Sequence, residues 1–129
     1  MPRERGSVAL ELALVLPLAL IVSLALVQVG LFGRDSGVVA LAAREGAREA
    51  AVSTDDESVR QAALRSGALP EDRTEVEVER GGGVGRPVTV RVRYLAPVVV
   101  PFVEWLFPEE VELVAGATMR QETSGIETP

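Results

Sequence analysis

Few of the side chains that carry enzyme chemistry occur in this chain of 129 residues. It has no histidine and no cysteine, which removes the commonest general base, cysteine nucleophiles and thiolate zinc sites. Every basic residue is arginine, so lysine Schiff-base chemistry is excluded as well. Carboxylates remain, and Asp55 with Glu57, or Glu109 with Glu110, are the candidates for an enzyme. Nothing in the sequence sets either pair across a cleft, so we predict no enzyme, no catalytic residue and no cofactor.

Binding of nucleic acids, metals or small molecules has little support either. The net charge of −6 argues against a nucleic-acid partner, because phosphate contacts need an excess of basic residues. The acidic run 55–57 lacks the alternating spacing of a calcium loop, and we predict no metal site. The glycine-rich stretch 81–85 precedes a strand pattern instead of a helix, so it is interpreted as a hairpin turn and not as a phosphate loop. No small-molecule substrate is predicted.

The apolar residues are concentrated near the N-terminus. From Val8 to Phe32 the only charged residue is Glu11. Residues 12–32 would form a helix about 32 Å long, which is enough to cross a hydrocarbon core of about 30 Å. The alternative is a cleaved secretory signal, but the run exceeds the usual signal core of about 7–15 residues and offers no convincing cleavage site. The sequence therefore predicts a single membrane span.

The basic residues do not fix the orientation of this span. Arg3 and Arg5 precede it, while Arg34, Arg44 and Arg48 follow within about twenty residues. A downstream domain of about ninety residues is translocated largely regardless of its charge. This favours the outward orientation, with the domain on the extracytoplasmic side.

An α+β fold is predicted for the rest of the chain. Residues 33–37 are predicted to be a hinge, 38–52 an alanine-rich helix, and 54–66 a second helix capped by Thr54 with Glu57. Three strand patterns follow, and two short helices are expected to pack on a small three-stranded antiparallel sheet. The predicted divisions are a leader (1–6), a transmembrane helix (7–33), an α+β domain (34–123) and a disordered tail (124–129).

The first two strands contain a test of their register. Pairing Glu77 with Arg91 and Glu75 with Arg93 sets opposite charges together on one face. The same register sets Val76 opposite Val92 on the other face. We therefore predict that the sheet has one solvent-exposed charged face and one apolar face.

The connection 95–109 is strongly apolar and contains three of the five aromatic residues, namely Phe102, Trp105 and Phe107. One interpretation is a connection that covers the core. The other is an exposed surface that binds a partner or touches the membrane. The sequence does not separate the two.

Several segments of the chain carry a resemblance to known families. A short basic leader that ends in Gly6, followed by Ser7 and an apolar run with Glu11 at its fifth position, resembles the processing site of type IV pilins and pseudopilins. Ser7 stands where most pilins have phenylalanine. The TadE-like family is resembled by Glu-Leu-Ala-Leu-Val-Leu-Pro (11–17), Gln28 with Gly-Leu-Phe-Gly-Arg (30–34), Ala-Arg-Glu-Gly-Ala-Arg (43–48) and the closing Ala-Gly-Ala-Thr-Met-Arg (115–120).

The resemblance implies a non-catalytic minor pilin or pseudopilin of the Tad (Flp) pilus assembly system. It implies cleavage between Gly6 and Ser7 by a prepilin peptidase, a cytoplasmic N-terminus in the bacterial cytoplasmic membrane, a small domain outside, and other pilins and Tad assembly proteins as partners. The alternative is an unprocessed single-span envelope protein whose outer domain binds a partner around Trp105.

Glu11 has two interpretations of its own. A carboxylate near the end of a membrane helix is costly unless it is paired. If the chain is cleaved, the new amine of Ser7, or that of a neighbouring subunit, would supply the partner and fix the register of assembly. Otherwise the side chain simply extends to the lipid headgroups.

Overall fold

The computed structural model describes residues 2–122, with side chains from Arg5 onwards. Met1 and the predicted tail (124–129) lie outside the described residues. The order of the long elements is helix, helix and three strands. The structure thus confirms an α+β fold with a long apolar helix at the N-terminus.

The first helix, α1, runs from Pro2 to Val52 without a break and is about 76 Å long. The predicted hinge at 33–37 is wrong, because these residues continue the helix. Gly33 and Gly37 each cost only about 1 kcal/mol in a helix interior, and no atom outside the local chain lies within 4 Å of the position of an added Cβ at either one. The predicted helix 38–52 is therefore the last part of α1 and not a separate element.

The second helix, α2, comprises Asp56–Gly67. Its N-cap is Asp55 and not the predicted Thr54: the Asp55 carboxylate accepts hydrogen bonds from the Glu57 amide (3.2 Å) and the Ser58 hydroxyl (2.8 Å). Aspartate and threonine are both favoured at the N-cap. The predicted N-cap was therefore wrong by one residue. The helix ends at Ala68, whose left-handed conformation lets its amide donate back to the last turn.

Three antiparallel strands form one sheet in the order β1-β2-β3. They are β1 (Thr74–Arg80), β2 (Pro87–Pro97) and β3 (Glu110–Arg120). The predicted register is confirmed, with Glu77 opposite Arg91 and Val76 opposite Val92. The ion pair Arg91–Glu77 (3.6 Å) lies on the solvent-exposed charged face, where such pairs contribute about 0.2–1 kcal/mol.

The apolar face of the sheet is covered by the second half of α1. The predicted helix face is confirmed, since Val39, Ala43, Ala47 and Ala50 are all buried. They form one core with Val88, Val90 and Val92 of β2 and with Val59 and Ala63 of α2. The second helix packs mainly on α1 and touches the sheet chiefly along β1. The small side chains of α1 allow this close approach on two sides.

The whole length of the sheet lies alongside the second half of α1. At one end, the Glu122 amide donates to the carbonyl of Ala51, and the turn before β2 is bonded to Gln121. At the other end, the residues just after β2 contact Gln28. The 23 residues between Gln28 and Ala51 span about 35 Å of helix, and the 11 residues of β2 span about 36 Å of strand. The matching lengths define a lower end of the domain at Gln28 and an upper end at Ala51.

Gly46 marks the closest approach of α1 to its neighbours. A Cβ at this position would lie 2.9 Å from Val90 Cγ1 and 3.3 Å from Ala63 Cβ. Both neighbours are fully buried, so neither side chain can move away freely. The glycine in the Ala-Arg-Glu-Gly-Ala-Arg segment is thus required by packing against both α2 and the sheet.

We expect Gly46→Ala to be less stable than Gly37→Ala by about 1–3 kcal/mol in the free energy of unfolding. Both changes bring the same gain in helix propensity, but only the first overpacks the core. Denaturant unfolding in detergent micelles, followed by circular dichroism, measures the difference. Equal stabilities of the two variants would contradict the packing role of Gly46.

Candidate functional site

The predicted processing residues lie in the first turns of α1. Gly6, Ser7 and Glu11 are exposed, and Ser7 and Glu11 are four residues apart, so they face the same side of the helix about 6 Å apart along its axis. Within the described side chains, 5–122, no ion pair involves Glu11. Its carboxylate is therefore open to a group from elsewhere.

The apolar stretch that follows is exposed on nearly all sides as far as Val27. The Ser23 hydroxyl donates to the carbonyl of Ala19 (2.8 Å), so its polar group is satisfied inside the helix. Pro17 is accommodated without ending α1. Of the helices in residues 2–122, α1 alone is long and apolar enough to cross a membrane. The length and exposure of this stretch support membrane anchoring.

Gln28 is the first residue of α1 that is fully buried, with 1% of its surface exposed. Its Oε1 accepts hydrogen bonds from the backbone amides of Val99 and Val100, both at 3.0 Å. These amides begin the β2–β3 loop (residues 98–109). A glutamine inside the apolar run thus fastens this loop to the helix. The sequence analysis missed this role; the signals at this position were one amide side chain among apolar residues and its place in the family resemblance.

A second contact fastens the other end of the same loop. The rings of Phe107 and Phe32 meet edge to face, with their centroids 5.7 Å apart, an arrangement that aromatic pairs favour. Phe32 is one turn above Gln28 on the same side of α1. The loop therefore lies along the last turns of the apolar run.

The two interpretations of the aromatic connection each hold for part of it. Val100 and Val103 are buried, as expected of a segment that covers the core. Phe102 and Trp105 are exposed, by 69% and 71%, and Val99 and Leu106 are exposed beside them. Of the three aromatic residues considered as a possible partner surface, Phe107 is turned to α1, whereas Phe102 and Trp105 face outward.

Two local features of the loop accompany the exposure of these two rings. Phe102 has φ 68°, a left-handed conformation that side chains other than glycine adopt at a cost of about 1–2 kcal/mol. The indole Nε1–H of Trp105 donates to the carbonyl of Phe102 (2.9 Å). The one polar atom of the indole is thus satisfied within the loop, although the ring itself is exposed.

Three of the four carboxylates considered for an enzyme are engaged in local structure, and the fourth, Glu109, is exposed. Asp55 caps α2, and Glu57 accepts a hydrogen bond from Gln61 (3.0 Å). Glu110 pairs with Arg73 (3.3 Å) at the start of β3. Over the described part of the chain, no group of three or more acidic residues is arranged to hold a metal ion.

The ionisation of one group outside the span is shifted by the packing of the domain. Burial raises the pKa of the Tyr94 hydroxyl above 10.0, and the nearby carboxylate of Asp35 adds to this shift. Tyr94 packs against the core between the sheet and α1. Its hydroxyl is therefore neutral at physiological pH.

Comparison with protein families supports the resemblance seen in the sequence. The family described as TadE-like protein matches residues 6–48, a segment that begins at Gly6 and ends with the Ala-Arg-Glu-Gly-Ala-Arg motif. The match thus covers the apolar run and the part of α1 that first packs on the sheet. Searches of curated proteins and of solved structures found no match. This segment of the chain is similar to TadE-like proteins, and the similarity points to a part in Tad pilus assembly.

Proposed function

We propose that the chain is a non-catalytic minor pilin or pseudopilin of a Tad-type pilus, processed by a prepilin peptidase. The observation that carries the proposal is the family match over residues 6–48. The matched segment contains Gly6, Glu11 and the Ala-Arg-Glu-Gly-Ala-Arg motif, and all of them lie in the single helix α1. A single helix of this kind can both anchor a subunit in the membrane and pack beside other subunits.

Three features of α1 support processing. The peptide bond between Gly6 and Ser7 lies near the start of the helix, where the turns open most easily. Gly6 weakens the helix locally and no side chain crowds it. Cleavage would create an amine on Ser7 one turn before Glu11, so that a positive charge would meet the carboxylate in the membrane.

The proposed orientation sets the N-terminus in the cytoplasm and the sheet outside. The peptidase, other pilins and the Tad assembly proteins are the proposed partners, and the bacterial cytoplasmic membrane is the proposed location. In this arrangement the apolar run from Leu12 to Phe32 crosses the bilayer, and the domain begins to pack on α1 at Gln28, near the outer end of that run. No catalysis is part of the role.

We expect coexpression with a matching prepilin peptidase to yield a membrane-bound chain that begins at Ser7. The change Gly6→Ala should abolish this product, because the peptidase is expected to recognise the residue before the bond. Gly30→Ala makes the same change at an open position of the same helix and should leave cleavage complete. Intact-protein mass spectrometry distinguishes the two chains.

The alternative proposal is an unprocessed membrane protein whose domain binds a partner through the exposed residues Phe102 and Trp105. An intact N-terminus in cells that carry pili would contradict the pilin proposal and favour this one. The exposed rings are the specific observation in its support. Loss of pili on deletion of the gene, restored by the wild-type chain and not by Gly6→Ala, would favour processing.

A further inference from the structure

We infer that the β2–β3 loop enters the outer membrane interface, with Phe102 and Trp105 in contact with lipid. The inference rests on the part of the proposed function in which α1 spans the bilayer. It adds a second membrane contact, made by the folded domain itself. The occupant of the exposed loop surface is the lipid bilayer that surrounds the span.

The depth of the loop follows from lengths along α1. If Glu11 marks the inner boundary, a hydrocarbon core of about 30 Å takes about 20 residues and ends near Leu31. Gln28, which holds the loop, lies about 5 Å below that point. A span that ended before Gln28 would have only residues 12–27, or about 24 Å, which is too short. The loop is therefore at the level of the outer hydrocarbon boundary.

One face of the span stays partly buried below Gln28. Ile21, Leu24 and Ala25 are partly buried, and they share one face of α1 with Gln28 and Phe32. Ile21 lies about 10 Å below Gln28, so this face shows which side of α1 is turned from solvent and not the depth of the loop. The opposite side of the same turns, with Leu26 and Val29, stays exposed and belongs to the lipid-facing surface.

The hydrogen bonds at Gln28 are those that an apolar environment requires. A backbone amide in hydrocarbon must have a partner within the protein, because no water is there to accept its hydrogen bond. Gln28 Oε1 accepts from the two amides at the point where the chain leaves the sheet. The two loop amides that require an acceptor therefore explain why a polar residue occurs inside the apolar run.

The exposed side chains of the loop suit an interface. Tryptophan is enriched where one end of a side chain meets lipid and the other meets headgroups. Phe102, Leu106 and Val99 extend the apolar surface beside Trp105. Glu104 and Glu109 are exposed in the same loop, so a zwitterionic bilayer is a better partner than an anionic one.

Trp105 is the only tryptophan of the chain, so its fluorescence reports on this loop alone. The experiment uses the full chain in phosphatidylcholine vesicles, with bromine on the acyl chains either near the headgroups or near the methyl ends. We expect blue-shifted emission, strong loss of emission with the shallow bromine label, weaker loss with the deep label, and little loss with iodide on both sides of the bilayer.

The matched control moves the tryptophan to the upper end of the domain. Val84 is exposed in the turn before β2, about 35 Å along α1 from Gln28. In the double variant Trp105→Phe, Val84→Trp, iodide should quench the emission and brominated lipid should not. Co-flotation of each chain with the vesicles tests the span separately, and mass spectrometry after peptidase treatment tests the proposed pilin role.

Two results would overturn the inference. Emission from Trp105 that matches the Val84→Trp control, in a chain that floats with the vesicles, would set the loop in water. Protection from iodide without quenching by brominated lipid, lost when the protein is diluted with more lipid, would mean that a second copy of the chain covers the loop. Neither result would change the outcome at Gly6.

Discussion

Replacing Glu11 by leucine should abolish pili while the membrane level of the protein stays the same or rises. Glu11 is the only charge between Val8 and Phe32, and an acidic residue costs about 2.5–3.5 kcal/mol at mid-membrane and less towards the interface. Its removal therefore cannot harm insertion. What it removes is the carboxylate that, in the proposed filament, meets the amine of Ser7 or of a neighbouring subunit. Pili counted by microscopy, beside immunoblots of membranes, separate the two effects.

Two further variants show whether charge is responsible. Glu11→Gln keeps the shape of the side chain without the charge and should also lose pili. Leu14→Ala changes another exposed position about one turn away and should keep them. Cleavage after Gly6 is scored in each strain by mass. Normal pili in Glu11→Leu cells with complete cleavage would end the assembly role of Glu11 and favour a side chain that only reaches the headgroups.

The second large effect is expected at Gln28. Gln28→Leu should lower the free energy of unfolding by about 2–4 kcal/mol, because it leaves the amides of Val99 and Val100 without an acceptor and each such group costs about 1–3 kcal/mol. The loss should begin in the loop, so the emission of Trp105 should change at lower denaturant than the circular dichroism of the helices.

The controls for Gln28 separate the hydrogen bonds from the helix itself. Gln28→Glu keeps an oxygen at the same reach and should recover stability at acidic pH, where the buried carboxyl is neutral, and less at neutral pH, where an ionised carboxylate is costly to bury. Val29→Leu enlarges an exposed neighbour and should change the stability by less than about 0.5 kcal/mol. A Gln28→Leu protein as stable as the wild type would show that the loop is held by packing alone.

Features set by local pattern could be predicted from the sequence. The register of β1 and β2 follows from charges and valines that alternate with period two, so one shift would have reversed both faces. The buried face of residues 38–52 follows from the spacing of Val39, Ala43 and Ala47. The apolar helix follows from length and composition alone.

Features that depend on tertiary contacts could not be predicted. The glycines and polar residues at 33–37 suggested a hinge. Their unfavourable helix propensities are small, and the packing of α1 on the sheet outweighs them. The role of Gln28 needs the loop 71 residues away in sequence, which no local pattern reveals. The connection 95–109 divides between core and surface because Phe102 turns outward and Val103 inward, and this depends on the backbone at Phe102.

The unbroken course of α1 has a mechanical consequence. A helix without a hinge acts as a rigid shaft, and the sheet is fixed to its side from Gln28 to Ala51. Turning the span by about 100°, the angle of one residue, turns the whole domain by the same angle. Lifting the shaft by one turn draws the loop about 5.4 Å outward. The domain therefore moves with the part of α1 to which it is attached, and the sheet screens that flank of the helix from neighbouring helices.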